Sequence, residues 1–470
     1  MRKSLLALGV LAAFTSPALA HAAPPAKAKH TQAASSRTVQ QRLDALEARV
    51  ETLEANNATL RKQASDATAD AQATHAELDQ IKAAQAAAPE TATADAAPAE
   101  PAAAAPAGAN GNAFNPAMSV ILNGAYAHNS LDPDRYFRSG FPLGGAAGPA
   151  PQGLSIAESE VSLYANIDEK FFGQLTLTAS NDKGQDHVGV ENAFIETTAL
   201  PNGFGVRAGR FYSDIGYLNS HHTHTDNFYD RPLAYQAFLG GQYGDDGVQV
   251  RWLAPTPIFL EFGVEAFAGN QFPSGGGGHG GVGVTTGFVK AGGDINDSTS
   301  WLAGLSMLKS KTVNADDGFS GDDKLYVADG TLKWAPNGNL KDGGVTVRGE
   351  YLVDDRNGQF TVPTEPQLGD PLFDQPWTGK RSGGYIEAVY RINRTWEAGY
   401  RYDKLWADRS GPFASAFDPS RNSIELTWLN SEFSLVRLQY SRDEPNPFNV
   451  DNVFTLQYQV ALGAHGAHSF

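Results

Sequence analysis

At 470 residues the chain has room for two or three domains, and it contains no cysteine, so no disulfide staples any of them. Its net charge is −16, and the imbalance is local: residues 1–113 carry 10 Lys and Arg against 11 Asp and Glu, leaving 26 against 41 for the remainder, a net of −15. So acidic a C-terminal part excludes nucleic acid as a partner. No stretch beyond the first 20 residues approaches eighteen consecutive apolar residues, which excludes transmembrane helices downstream.

Residues 1–20 have the pattern of a cleaved export signal: Arg2 and Lys3, a short apolar run from Leu5 to Phe14, and the small-residue site Ala18-Leu19-Ala20. Residues 21–36 form a polar mature N-terminal segment. Residues 37–82 then keep an unbroken heptad repeat. Val39, Leu46, Leu53, Leu60, Ala67, Thr74 and Ile81 occupy d, while Leu43, Val50, Asn57, Ala64, Ala71 and Leu78 occupy a. This predicts an α-helical coiled coil, weaker where Ala and Thr fill the seam, with Asn57 setting register. Val and Asn at a with Leu at d favour two strands. Residues 83–113 are Ala- and Pro-rich and cannot bury a core, so they read as an extended linker.

From 114 to 470 the pattern becomes short alternating stretches broken by Gly, Asn, Asp and Pro. In 173–181, Leu175, Leu177 and Ala179 oppose Gln174, Thr176 and Thr178. In 343–353, Val345, Val347, Tyr351 and Val353 oppose Thr346, Arg348 and Glu350. In 452–462, Phe454, Leu456, Tyr458, Val460 and Leu462 oppose Thr455, Gln457 and Gln459. One apolar and one polar face also fits a soluble sandwich. Ionised polar faces, with aromatics near strand ends such as Phe171, Trp396 and Trp428, favour an all-β transmembrane antiparallel barrel.

Sixteen strands can be placed: 118–130, 153–168, 171–181, 187–200, 203–215, 247–254, 258–269, 284–295, 300–313, 323–335, 343–355, 381–392, 395–407, 420–429, 433–443 and 450–463. Connections after even-numbered strands are short turns, and most after odd-numbered strands are long loops, the asymmetry of an outer-membrane barrel. An even count leaves both barrel ends on the side of the linker. Phe470, a terminal aromatic after a strand of barrel character, agrees with this.

Sixteen strands enclose a lumen wide enough for water and small solutes. Alternation turns Glu158, Glu160, Arg251, Glu261, Glu265, Arg348, Glu350, Glu397, Arg401, Asp403, Glu425 and Arg437 inward as candidate pore-lining residues. Charge rings set ion preference, so the acidic excess favours cations or neutral solutes. The segment 216–246 is unusually aromatic for a solvated loop, which a fold into the lumen would explain. Its candidate constriction residues are Asp226, Phe228, Tyr229, Asp230, Arg231 and Tyr235. His221, His222 and His224, near Asp226 and Asp230, form the one metal-like cluster, suited to zinc, with constriction polarity as the alternative role. No catalytic constellation stands out: there is no nucleophile motif with placed His and Asp, no HExxH and no P-loop, so the chain reads as no enzyme and as needing no other cofactor.

With these parts in place, the chain resembles the coiled-coil-bearing outer-membrane porins, including phosphate-selective porins and porin-like siderophore uptake proteins. The stretches GRFYSDIGYLN and AYQAFLGGQYGDDGVQVRWLAP are similar to porin-like proteins sometimes catalogued as TonB-dependent or zinc-regulated receptors. The resemblance implies the outer membrane of a Gram-negative bacterium, a coiled coil in the periplasm, a homo-trimer rather than the two strands of the heptad rule, and an inward third loop narrowing the pore. It implies passive diffusion of small hydrophilic solutes. Uptake of zinc or a metal chelate through the histidine loop is the alternative, and tethering to peptidoglycan a further role for the coiled coil. The chain departs from true TonB-dependent receptors, which have 22 strands and a folded plug. It also lacks the Arg and Lys ladder that accompanies phosphate selectivity.

Overall fold

The structure, a computed structural model, describes residues 116–182, 185–275 and 281–463. The expected signal peptide, N-terminal segment, coiled coil, linker and Phe470 lie outside those residues.

Alternating apolar and polar residues satisfy their backbone groups by pairing side by side, and here the pairing closes on itself. The strands are β1 (Ala117–Asn129), β2 (Gly153–Ile156), β3 (Ser159–Asn166), β4 (Phe171–Asp182), β5 (Gln185–Thr197), β6 (Phe204–Tyr212), β7 (Gly244–Leu253), β8 (Phe259–Phe267) and β9 (Val284–Asn296). They continue with β10 (Thr299–Thr312), β11 (Phe319–Trp334), β12 (Gly344–Phe360), β13 (Gln375–Asn393), β14 (Trp396–Trp406), β15 (Ser420–Ser431), β16 (Ser434–Asn446) and β17 (Asn449–Gly463). From β3 onward sequential neighbours pair antiparallel, β2 and β3 both pair with β1, and β17 returns to β1 in register from Ser119↔Gly463 to Asn129↔Val453. The result is a closed sixteen-strand barrel with one extra strand.

That extra strand corrects the expectation of a continuous strand over 153–168. The wall position beside β1 is shared by β2 and β3, which pair with successive lengths of it. Gly124 faces Ile156 and Ile121 faces Glu160, so one residue too many lies between the two registers. Such an insertion interrupts the ladder and re-aims nearby side chains. The other expected strands are present, several extended toward the long loops, as with β12 reaching Phe360 and β13 beginning at Gln375.

The barrel is inverted relative to a soluble protein. Outward positions carry exposed apolar side chains such as Leu177, Val264, Leu305, Ile386, Leu438 and Leu456. Aromatic residues gather toward the short-turn end, where Phe204 and Phe262 stack on opposite sides of Trp252 and Trp396 stacks on Trp428. Inward positions are buried and polar, among them Thr176, Gln249, Thr331, Ser423, Thr427 and Gln457.

The connection between β6 and β7 departs from this inside-polar rule. Between β6 and β7 the chain enters the barrel and forms a seven-residue helix, α1 (Leu233–Leu239), in which every residue is buried. Its C-terminus ends on Gly240 at φ +62°, the left-handed conformation that glycine adopts without a Cβ penalty. Loop residues Ile215, Leu218, Leu233, Tyr235, Phe238 and Leu239 form an apolar cluster with Leu308, Leu325, Val327, Leu352 and Leu405 on the wall.

Candidate functional site

The infolded loop divides the interior, and the wall holds it through charged and polar side chains at inward strand positions. Glu350 on β12 accepts four hydrogen bonds: from the Tyr217 and Leu218 amides at 3.0 and 3.1 Å, and from the Tyr235 and Tyr385 hydroxyls at 2.8 Å each. Gly216 passes so close that a Cβ there would lie 2.4 Å from Glu350 Oε2, which requires glycine as much as its φ of +62° does. Asp403 on β14 accepts the Leu233 amide at 2.9 Å, satisfying one of the free N–H groups at the start of α1. Arg437 on β16 donates to the Asp226 carbonyl at 2.8 Å.

The expected constriction residues all lie in this loop and share these anchors. Asp230 pairs with Arg401 at 2.9 Å and Arg421 at 2.5 Å. Burial works against its charge, but the two guanidinium groups prevail and hold its carboxyl down to about 2. Phe228 packs beneath the Arg401 guanidinium, 4.6 Å from its ring centre. Tyr229 donates its amide to Gln439 at 2.8 Å. Asp226 pairs with Arg231 at 2.9 Å, and burial still raises its carboxyl to about 6. Arg231 also donates to the carbonyls of Leu218 and His221, both at 2.6 Å.

The twelve residues expected to line a pore therefore divide by position. Glu350, Arg401, Asp403 and Arg437 hold the loop. Glu158 accepts from Thr223 at 2.9 Å, Glu160 meets His224 at 2.7 Å, and Glu265 bonds Ser213 and the Asp214 amide. Arg348 pairs with Glu387 at 3.3 Å and lies over Tyr217, Glu425 accepts from Thr427 at 2.5 Å, and Glu397 pairs with Arg391. Arg251 pairs with Glu196 on the wall, and both Arg251 and Glu261 border open space. They line a cavity of about 590 Å³ between the loop and the β6–β10 wall, together with Arg207, Asp214, Lys290 and Asp294. Cationic and anionic side chains mix there, with Glu196 paired to Arg207 and Arg251 and His222 at the edge, so the acidic excess of the chain is not concentrated at this opening.

The three histidines do not act together. His221 turns back to bond its own chain, Nδ1 to the Tyr217 carbonyl at 2.7 Å, and stacks on the Tyr217 ring. Burial and the neighbouring Arg348, Lys290 and Arg231 hold its imidazole down to about 4. Asp226 and Asp230 are taken by arginines. His222 and His224 instead meet carboxylates of the wall: His222 Nδ1 lies 3.1 Å from both Glu160 and Glu191, and His224 Nδ1 lies 2.7 Å from Glu160. Burial disfavours a charged His222, but hydrogen bonds to Glu160 and Glu191 outweigh it and push the imidazole up to about 10.

Alternation could not reveal Glu191. In the β4–β5 ladder Thr176 faces Asn192 and Leu177 faces Val190, so Glu191 is a bulge residue without a partner, and both Glu191 and Asn192 are buried. Loop anchoring by Glu350 also carried no sequence signal, because three of its donors lie in the loop more than a hundred residues before it. The extra residue between β2 and β3 could not be seen either, since 153–168 reads as one run.

No family model matches the chain. An uncharacterized protein of Aquifex aeolicus (strain VF5) is 29% identical over 348 residues, which cover 68% of this chain and 70% of that protein. Among solved structures, OmpF of Salmonella typhi in complex with daunomycin is 12% identical, with a TM-score of 0.48, covering 74% of this chain and 98% of that one. The outer membrane channel DcaP of Acinetobacter baumannii is also 12% identical, with a TM-score of 0.47, covering 73% and 96%. A loop-deletion mutant of OmpT, an outer membrane protein of Vibrio cholerae, is 12% identical, with a TM-score of 0.46, covering 75% and 100%.

Proposed function

We propose that the chain is a porin-like channel of a Gram-negative outer membrane, passing small hydrophilic solutes by passive diffusion. The observation that carries this reading is the closed sixteen-strand ring with apolar side chains outside, ionised side chains inside and one loop folded into the bore. Closure leaves no unpaired strand edge, and an exposed apolar belt is stable only in lipid. The loop blocks the side bounded by β10–β14, so solutes pass along β6–β10, through the cavity flanked by Arg207, Arg251 and Lys290 on one hand and Asp214, Glu261 and Asp294 on the other. With those charges mixed, ion selectivity is weak, and the cation lean suggested by overall composition is small.

Reconstitution of the purified protein into planar bilayers tests this. Stepwise ohmic currents are expected, with a reversal potential near zero across a potassium chloride gradient. Membranes that stay silent in every salt would refute the channel reading, and a strong anion or cation preference would refute the proposed path.

A further inference from the structure

Where the first turns of the infolded loop meet the wall, a second constellation lies at the edge of the solute path. Glu158, Glu160 and Glu191 bring three carboxylates to one place, with ligand oxygens within 4.8 Å of one another. Glu160, His222 and His224 converge within the same limit. Among the described residues, the ion pairs of Glu160 and Glu191 are made with histidines alone. Elsewhere in the barrel the comparable trio Asp317, Asp323 and Asp354 surrounds Arg356, and Asp354 also pairs with Arg381. Buried carboxylates need a cation among them. In that trio arginine supplies it; at the histidine site a protonated His222 or a bound metal ion fills that place.

We infer that Glu160, Glu191, His222 and His224 bind one borderline divalent transition-metal ion, zinc being the model case, which ties the loop to β3 and β5. Two imidazoles and two carboxylates make a four-ligand set that suits such an ion and ill suits calcium or magnesium, which take oxygen donors. The inward groups are delivered by two backbone irregularities, the extra residue ahead of β3 and the Glu191 bulge. The outer partners a metal site needs are also present. Tyr212 donates its hydroxyl to Glu191, the Asn192 side-chain amide lies 3.2 Å from His222 Nε2, and Thr223 donates to the neighbouring Glu158. His222 also borders the open cavity, which provides a way in from water.

The test uses the untagged full-length protein, stripped with a chelator and titrated with zinc in a calorimeter. One zinc per chain is expected, removable by chelator, with X-ray absorption showing a nitrogen and oxygen shell at about 2.0–2.1 Å. Glu160→Gln and the double variant His222→Asn/His224→Asn should each weaken binding by more than the roughly 10–100-fold typical of losing an outer partner. Tyr212→Phe should fall inside that range, and His221→Ala should change nothing. A heat-shift gel shows whether each variant still forms the barrel. Absence of stoichiometric binding by the wild type, or undiminished binding by folded Glu160→Gln and His222→Asn/His224→Asn proteins, overturns the assignment. Conductance of the chelator-stripped protein is read separately, so loss of this inference and loss of the channel reading give different results.

Discussion

Asp230 shows how much depends on single inward side chains. It sits on the infolded loop between Arg401 and Arg421, which hold its carboxyl at about 2 against an ordinary value of 3.8. An acid whose pKa is lowered by folding stabilises the folded form above the ordinary value, and that contribution fades as pH falls from about 4 toward 2. It is worth roughly 2 kcal/mol to the infolded loop. Because the chain has no cysteine, Ala237→Cys on buried α1 can report loop opening through its labelling rate with a dithiodipyridine reagent. Labelling should rise in two steps as pH falls, first below about 6.5 as the open loop lets His221 take a proton, then again below pH 4. With Asp230→Asn added it should be faster at neutral pH and lose the step below pH 4. A labelling rate independent of pH in the Asp230 protein would contradict the assignment. The pairing itself was not legible: Asp230 could be named as a loop residue, but its two arginines lie on β14 and β15, some 170 and 190 positions away.

The decisive element is the loop with α1. Its aromatic and aliphatic composition marked it as unlike a solvated loop, and the structure supplies the reason, since Leu233, Tyr235, Phe238 and Leu239 bury against the wall between β10 and β14. Burial of this apolar surface, together with Glu350, Asp403 and Arg437, holds it in place. The strands do not need it, because their backbone pairing is complete around the ring. Replacing residues 217–241 with a short Gly-Ser linker should therefore leave a heat-modifiable barrel whose single-channel conductance is severalfold higher. A barrel that forms with unchanged conductance would show that the loop does not narrow the path. The heptad repeat of residues 37–82 belongs to this scale too, as an expectation about oligomer state that lies outside the described residues.

At the scale of the whole molecule, the period-2 alternation decides which environment the chain can occupy. Leu456, outward on β17, is half exposed and belongs to the apolar belt, whereas Thr178 on β4 turns inward. Leu456→Arg should lower the unfolding free energy by about 2–4 kcal/mol if it lies near the bilayer midplane, measured by urea titration in phospholipid vesicles, and Thr178→Lys should change it little. Equal effects would argue against a lipid-facing exterior. The barrel was readable in the linear chain for a physical reason: each strand states its own two faces, turn residues punctuate it, and strands adjacent in sequence pair in space. Strand number, the order of short and long connections and the inward set of charges follow from those local rules. What those rules could not reach were the places where the chain departs from them: the added residue before β3, the bulge at Glu191, the division of the interior by α1 and the meeting of His222 and His224 with Glu160. Each depends on side chains from distant segments arriving at one point, and only closure of the ring brings them there.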